Sequence, residues 1–428
     1  MPSNAEIDAK AAIELLKELR TLTGDEQGAQ RLAWSPTWLK ARTWFLSQLS
    51  SLPVEHHYDA AGNSWTTLQG ASPNTLILGS HLDSVPNGGW LDGCLGVIAA
   101  LAVMKRIACE YDGRPPVTIR LVDWADEEGA RFGRSLFGSS AFAGTHSIAA
   151  DRARTDANNV RLDDALAECG LSIDNIGDAQ RERKDAAAYL ELHIEQGPIL
   201  EKMGLPLAAV SGTKGVERHA ITFHGQEAHS GSTPMTARHD ALAAAAKLAL
   251  EIRNIAMRHP EAVCTMGSVK TFPGIVTAVV GRCEVTLDQR DLDAAVLAQM
   301  YSEAQERSAG FAEEEGCTVQ WSRIWNIAPE AFHPALIELC EEAIRETTSA
   351  SHRMPSGPLH DAAEVSRSGI PTVMMFVQSL KGISHNKIED TQEDHLELAI
   401  EAFDKLASKA MAWVQGSLNA TTGRTDTP

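Results

Sequence analysis

The sequence lacks paired cysteines. Its 428 residues include seven cysteines, an odd number, and no two of them form a Cys-x-x-Cys motif. This excludes a disulfide framework and a thiolate zinc finger, and we expect reduced thiols. The fold must therefore be stabilised by packing, and the length predicts two or three domains that each bury a core.

The sequence also lacks a long hydrophobic run. The longest nearly uninterrupted apolar stretch, Leu95 to Met104, covers ten residues, about half of the roughly 20 that cross a bilayer. The N-terminal residues lead directly into a charged amphipathic pattern without the apolar core of a signal peptide. We therefore expect no transmembrane helix and a cytoplasmic location.

Positive charge is scarce. The 38 basic residues are outnumbered by 57 acidic ones, which gives a net charge of −19. Such a chain repels phosphate backbones and anionic lipids. We expect a small-molecule substrate and neither a nucleic-acid nor a membrane partner.

Apolar, β-rich runs alternate with helix-length segments in the first part of the chain. The segments Thr75 to Gly79, Val117 to Trp124 and Ala187 to His193 are predicted strands, and Asp92 to Ile107 is a predicted helix. This alternation predicts an α/β fold with a mostly parallel sheet flanked by helices.

The middle of the chain has a different pattern. Strand-like segments surround a strong helix pattern from Ala241 to Arg253, which predicts a compact inserted α+β domain. The α/β pattern returns after His333. We therefore predict one domain in two parts, residues 1–213 and 328–428, interrupted by a second domain at 214–327.

The end of the first predicted strand carries polar groups suited to a site. His81 and Asp83 follow an apolar run and precede Asp92-Gly93. Ligands of open α/β sheets bind at the carboxyl ends of strands, and Asp83 is placed to accept the second ring N–H of a metal-bound His81. An ordinary polar surface loop explains this segment about equally well.

Three further strand ends carry similar groups. Glu127 and Glu128 follow a second strand, His193 ends a third, and His385 follows the predicted strand Thr372 to Phe376. Two adjacent carboxylates can divide the work, one binding a metal ion and the other taking a proton from metal-bound water. Each segment alone fits a solvated loop, but their coincidence favours one shared site.

The candidate ligands combine imidazole and carboxylate groups without a thiolate. They are His81, Asp92, Glu128, His193 and His385. Such a set suits Zn²⁺, Mn²⁺ or Co²⁺, and an aspartate shared between two ions would complete a bimetallic site.

At this point the sequence resembles the hydantoinase/carbamoylase branch of the M20 metallopeptidase family. The motifs run in family order from about residue 30 to about residue 410. They are His81-x-Asp83, Asp92-Gly93, Glu127-Glu128, His193-Ile194-Glu195-Gln196-Gly197-Pro198, the segment Gly225 to Met235, and Gly382-Ile383-Ser384-His385.

The resemblance implies a role for each ligand. Asp92 would bridge two divalent metal ions, His81 and His193 would complete one site, and Glu128 and His385 the other. A histidine in the place of His193 is typical of carbamoylases and allantoate amidohydrolases, whereas many aminopeptidase relatives have aspartate there. This favours an amidase over a peptidase.

The resemblance also implies how the rest of the chain is used. Glu127 would be the general base, and residues 1–213 and 328–428 would form the catalytic domain. Residues 214–327 would form the lid and dimerisation domain of a homodimer. The predicted helix from Ala241 to Arg253 and an exposed strand edge would make the subunit contact.

Substrate contacts are implied at five positions, Gln196, His229, Thr277, Arg290 and His360. In the family the histidine at position 229 stabilises the oxyanion in the active site of the other subunit, and the arginine at 290 clamps a substrate carboxylate, since guanidinium binds carboxylate bidentately. Without the resemblance, a loop histidine and a surface ion pair are the simpler interpretations. Thr277 replaces a usual asparagine and Leu359 a common glycine, and both changes reshape the pocket.

The sequence thus predicts a metal-dependent amidohydrolase. Its substrate would be an N-carbamoyl amino acid or a related ureido acid such as allantoate, with Glu127 as the base. Two alternatives remain open, an aminoacylase or dipeptidase acting on N-acyl amino acids and a metal-free binding relative. The intact set of ligand types and the base count against the second alternative.

Overall fold

The computed structural model describes residues 6–422, with side chains to residue 416. The chain divides into two compact units, one formed by Gly212–Ala331 and the other by the segments before and after it. Within the described range, we find no helix that combines the length and apolar character needed to cross a membrane.

Seventeen strands and twelve α-helices make up the described chain. The strands are β1 (Gly24–Asp25), β2 (Gly28–Ala29), β3 (Glu55–Tyr58), β4 (Ser64–Leu68), β5 (Thr75–His81), β6 (Thr118–Trp124), β7 (Ala186–Ile194), β8 (Leu207–Thr213), β9 (Gly215–His224), β10 (Ala228–His229), β11 (Val263–Phe272), β12 (Ala278–Val279), β13 (Arg282–Asp291), β14 (Thr318–Ile327), β15 (Glu330–Ala331), β16 (Arg353–Ser356) and β17 (Thr372–Val377). The helices are α1 (Ala9–Thr23), α2 (Pro36–Ser47), α3 (Cys94–Glu110), α4 (Phe137–Ala143), α5 (Ile148–Arg152), α6 (Leu162–Glu168), α7 (Ile199–Met203), α8 (Ala241–Met257), α9 (Ala294–Glu314), α10 (Pro334–Thr348), α11 (Asp361–Arg367) and α12 (Glu393–Thr422).

The first unit is built on one sheet with the strand order β8, β17, β7, β5, β6, β4, β3, and β16 lies beside β8. The four central strands β17, β7, β5 and β6 are parallel, and their outer neighbours β8 and β4 are antiparallel. Every residue of β5 and β6 is buried, as in parallel strands covered on both faces. The predicted α/β fold is confirmed.

Two helices show how sequence pattern places the layers around this sheet. Along α1, the buried Ala12, Ile13, Leu16 and Leu19 recur at helical spacing, and the Asp8 carboxylate caps the helix by accepting from a main-chain N–H. Helix α3 is apolar on nearly all sides and almost wholly buried. It begins two residues beyond Asp92, and so it fixes that side chain at the edge of the sheet.

The second unit has its own antiparallel sheet, with the strand order β11, β13, β9, β14. Burial alternates along β13, which leaves one face of the sheet for α8 and α9 to cover. The core between them includes Phe223, Leu248, Leu287 and Met300. Asp240 caps α8 through two main-chain N–H groups.

Candidate metal centre

The five candidate metal ligands meet at the carboxyl ends of the central strands. In each of two groups, one ligand atom per residue lies within 4.8 Å of the others. The groups are His81, Asp92 and His193, and Asp92, Glu128 and His385. Parallel strands bring these distant segments together because their carboxyl ends share one edge of the sheet.

Asp92 belongs to both groups and divides its two oxygens between them. Its Oδ1 lies 3.2 Å from Nε2 of His193 and 3.9 Å from Nε2 of His81. Its Oδ2 lies 3.3 Å from Nε2 of His385. The same His385 nitrogen lies 3.3 Å from Oε2 of Glu128. A carboxylate arranged in this way is suited to bridging two cations.

Main-chain acceptors orient two of the histidines. Nδ1 of His193 lies 2.9 Å from the carbonyl oxygen of Ile194, and Nδ1 of His81 lies 3.1 Å from the carbonyl oxygen of Asp83. A hydrogen bond from Nδ1 leaves Nε2 available as a ligand in the neutral ring. Gly93 permits close approach to this ring, because a Cβ there would lie 2.4 Å from Cε1 and Nδ1 of His81.

The Asp83 side chain has a different geometry from the one expected. Its carboxylate lies 3.7 Å from Nδ1 of His81, and the closer contact to that ring is the main-chain carbonyl. The two carboxylate oxygens instead accept hydrogen bonds from the main-chain N–H groups of Glu127 and Glu128, each at 3.2 Å. Asp83 therefore anchors the loop that carries the paired glutamates.

The residues present fit a cation. Within residues 6–416, Nε2 of His193 and Oε1 of Glu128 are buried atoms that make no hydrogen bond of acceptable geometry. Buried polar atoms without a hydrogen-bond partner are rare and costly. A cation that accepts lone pairs from imidazole nitrogen and carboxylate oxygen would satisfy both.

Electrostatics support the same interpretation. Burial raises the pKa of Glu128 well above its usual range, and the nearby Asp92 raises it further. Burial lowers the pKa of His193, but the Asp92 carboxylate outweighs burial and brings that pKa up to about 9. Burial lowers the pKa of His81 to about 4. In the metal-free cluster Glu128 and His193 therefore hold protons that a cation would replace, whereas His81 is neutral.

Glu127 lies beside the cluster without belonging to either group of ligands. Its Oε2 is 3.8 Å from Nε2 of His81, and the residue is 8% exposed. Burial, and then the charges of Asp361 and Glu128, raise its pKa well above the usual range. A carboxylate that has a raised pKa and does not coordinate a metal ion is suited to accepting and returning a proton.

Two further predicted residues adjoin the ligands. The amide nitrogen Nε2 of Gln196 lies 2.8 Å from Oδ2 of Asp92 and 3.2 Å from Oγ of Ser384. His360 is buried, and its ring centroid lies 4.4 Å from that of His193. Both residues therefore lie beside the candidate ligands, and their contact with the substrate stays a prediction.

The remaining predicted residues belong to the second unit. His229 is exposed and pairs with Ala278 between the short strands β10 and β12. Thr277 is exposed nearby, and its carbonyl oxygen accepts from the N–H of Ser230 at 3.0 Å. Arg290 donates through Nε and Nη2 to the two carboxylate oxygens of Asp288, at 2.8 and 3.3 Å.

Sequence reasoning missed two residues at the centre. The sequence motifs contain Ser384 without indicating a role for it and do not include Glu389, although both lie within hydrogen-bond distance of Asp92. The available signal for Glu389 was its position four residues after His385. That spacing carries no chemical meaning until the loops are folded.

Known proteins are similar to this chain over most of its length. The model of peptidase family M20/M25/M40 matches residues 77–409. An N-carbamoyl-L-amino acid amidohydrolase of Geobacillus stearothermophilus is 35% identical over 86% of this chain and 90% of its own length. An allantoate amidohydrolase of Escherichia coli K12 is 32% identical over 89% of this chain and 93% of its own length.

Solved structures point to the same branch. The crystal structure of a hydantoinase/carbamoylase family amidase from Burkholderia multivorans has a TM-score of 0.84 and 30% identity, covering 96% of this chain and 99% of that one. The match to the family model extends over most of the sequence and includes all five candidate metal ligands. The chain therefore belongs to peptidase family M20/M25/M40 and, within it, to the hydantoinase/carbamoylase branch.

Proposed function

We propose that this protein hydrolyses the carbamoyl (ureido) C–N bond of N-carbamoyl amino acids or of related ureido acids such as allantoate. The observation that carries the proposal is the Asp92 carboxylate, which faces a different set of ligands with each oxygen. The buried carboxylate of Glu127, which belongs to neither group of metal ligands, lies beside the cluster. The N-carbamoyl-L-amino acid and allantoate amidohydrolases among its relatives indicate the substrate class.

Two divalent cations, Zn²⁺, Mn²⁺ or Co²⁺, fit the ligand set. His81, Asp92 and His193 would hold one, and Asp92, Glu128 and His385 the other. When bound, such ions lower the pKa of a coordinated water and polarise a substrate carbonyl.

Glu127 supplies the proton transfer. Its carboxylate takes a proton from the attacking water and returns it to the leaving nitrogen as the C–N bond breaks. Asp83 holds Glu127 in place through the main-chain N–H. For a carbamoyl substrate, one water and one substrate give an amino acid, carbon dioxide and ammonia.

The substrate contacts are proposed from the resemblance and from local chemistry. Arg290 binds the substrate carboxylate, for which its planar guanidinium is suited. Gln196 and His360 contact the substrate beside the metal ligands. By the resemblance, Thr277 also contacts the substrate and His229 stabilises the developing oxyanion.

We further propose that the first unit is the catalytic domain and that the second is a lid and dimerisation domain. Helix α8 exposes Leu250 and Met257, at 70% and 81%, and the edge strand β11 exposes Val263 and Val269. Apolar side chains on a helix and an adjoining open strand edge suit a contact with a second copy of the chain. In the homodimer His229 would serve the active site of the partner subunit.

A substrate panel tests the activity. Metal-reconstituted protein should release ammonia from N-carbamoyl-L-amino acids or allantoate, and N-acetyl amino acids and dipeptides should be poor substrates. Preference for the N-acyl compounds would instead establish the aminoacylase alternative. Metal analysis of the same preparation separates an inactive apoprotein from a binding protein that lacks catalysis.

A further inference from the structure

We propose that Glu389 is a positioning residue that holds the segments carrying Asp92 and His385 in the arrangement that binds two cations. The inference rests on the metal centre of the proposed function and extends it to a residue outside the ligand set. Glu389 itself is 2% exposed and lies in neither group of ligand atoms.

The Glu389 carboxylate joins two segments that are far apart in the chain. Its Oε1 accepts hydrogen bonds from the main-chain N–H groups of Leu91 and Asp92, both at 3.1 Å. Its Oε2 accepts from Oγ of Ser384 at 2.9 Å. Because Ser384 immediately precedes His385, one side chain fixes the backbone at both ligand positions.

The Ser384 hydroxyl extends this connection to the ligand itself. Its Oγ lies 2.9 Å from Oδ2 of Asp92 as well as 2.9 Å from Oε2 of Glu389. A hydroxyl has one proton, so it donates to one of these carboxylates at a time. If a cation neutralised Asp92, the Ser384 hydroxyl would donate to Glu389 instead. Cation binding would therefore favour the hydrogen bond between Ser384 and Glu389.

Local sequence makes room for the carboxylate. A Cβ at Gly89 would lie 2.0 Å from Cδ of Glu389, closer than any side chain permits. Glycine at this position therefore allows Glu389 to reach the main chain of Leu91 and Asp92. The contact between Glu389 and this main chain therefore depends on glycine at position 89.

The contacts require two acceptor oxygens at this position. Two main-chain N–H groups and the Ser384 hydroxyl converge on them. Glutamine would retain these contacts, because its carbonyl oxygen accepts from both N–H groups while its amide donates to Oγ of Ser384, whose proton then goes to Asp92. Glu389→Leu has a similar volume but offers no acceptor, and it therefore removes all three contacts.

Metal titration of the chelator-treated protein tests the proposal without any substrate. Wild-type protein should bind two Mn²⁺ ions by calorimetry, and E389L should bind at least one of them about 10- to 100-fold more weakly, as for other residues that orient metal ligands. E389Q, the conservative variant, should bind both ions nearly as the wild type does. The ligand-field spectrum of Co²⁺-loaded E389L should also change. At saturating Mn²⁺ its kcat should recover towards that of the wild type, with KM unchanged.

Glu393→Leu is the matched control, since Glu393 is an exposed glutamate that pairs with Lys17 and should leave metal binding unchanged. Wild-type affinity at both sites in E389L would overturn the proposal. If E389L does not fold, Gly89→Ala, which displaces the carboxylate, carries the same expectation and the same refutation. Wild-type protein that binds two ions but hydrolyses no ureido substrate would refute the proposed function and leave the role of Glu389 standing.

Discussion

Glu127 and Glu128 are consecutive in the chain, yet their carboxylates face different histidines. Oε2 of Glu127 lies 3.8 Å from Nε2 of His81, and Oε2 of Glu128 lies 3.3 Å from Nε2 of His385. The turn after β6 therefore presents one carboxylate to each side of the cluster. We therefore expect the substitutions Glu127→Gln and Glu128→Gln to have different consequences.

Glu127→Gln should lower kcat by about 10²- to 10⁴-fold, the usual contribution of a general base, and leave the metal content unchanged. Glu128→Gln should instead lose metal, because an amide oxygen is a poorer ligand than a carboxylate. Ammonia release and metal analysis of both variants distinguish the two roles. Normal turnover by E127Q would remove Glu127 from the mechanism.

The metal-free protein should lose stability as pH rises from about 6.5 to about 9. Folding raises the pKa of His193 to about 9, that of Asp126 to about 8 and that of Glu389 to about 7. The folded state then binds more protons than the unfolded state, so its stability is present at the lower pH and lost as these groups deprotonate.

Thermal unfolding of chelator-treated protein across this pH range measures the effect. Metal-loaded protein is the control, and its stability should fall less steeply because cations replace protons on the buried ligands. A metal-free protein that becomes more stable over the same range would contradict the prediction.

Gly93→Ala should weaken metal binding at the His81 side of the cluster. The backbone at Gly93 has a φ of +65°, and an added Cβ would meet the His81 ring at 2.4 Å. Gly170→Ala is the matched control, since Gly170 has a φ of +77° but open space around its Cα. Both variants should lose about 1 kcal/mol or more of unfolding free energy through backbone strain, and only G93A should also lose metal affinity in a titration.

Arg290→Lys should raise KM for carboxylate-bearing substrates about tenfold or more, since lysine cannot bind a carboxylate bidentately. The kcat at saturating substrate should change less, because the clamp acts on a part of the substrate that does not react. Arg282→Lys is the control, since Arg282 lies on the same strand and pairs with Glu284 at 3.5 Å. Equal KM values for R290K and the wild type would exclude the clamp.

The central strands and their polar ends were predictable from sequence. Continuous apolar runs identify β5, β6 and β7, and in parallel sheets such strands are buried on both faces. Their ends carry His81, Glu127 and His193, so the edge of the sheet that holds the cluster follows from the pattern alone. The predicted helix from Asp92 begins at Cys94 instead, because Gly93 adopts a positive φ that leaves Asp92 outside the helix.

Other features depend on tertiary packing that leaves no local pattern. Strand β3 is largely exposed and polar, so it lacks the apolar signal that identified the central strands. Glu389 contacts the main chain of Asp92 across 297 residues of sequence. Neither hydrophobic periodicity nor the ligand motifs indicate which buried acid will accept hydrogen bonds from another loop.

The hydroxyl of Ser384 and the carboxylate of Asp92 are separated by 292 residues. A ribosome must therefore release nearly the whole polypeptide before the cluster can assemble. The second group of ligands is therefore complete only at the end of biosynthesis, and a product truncated before the last helix and its preceding loop would keep His81, Asp92 and His193 but lack His385.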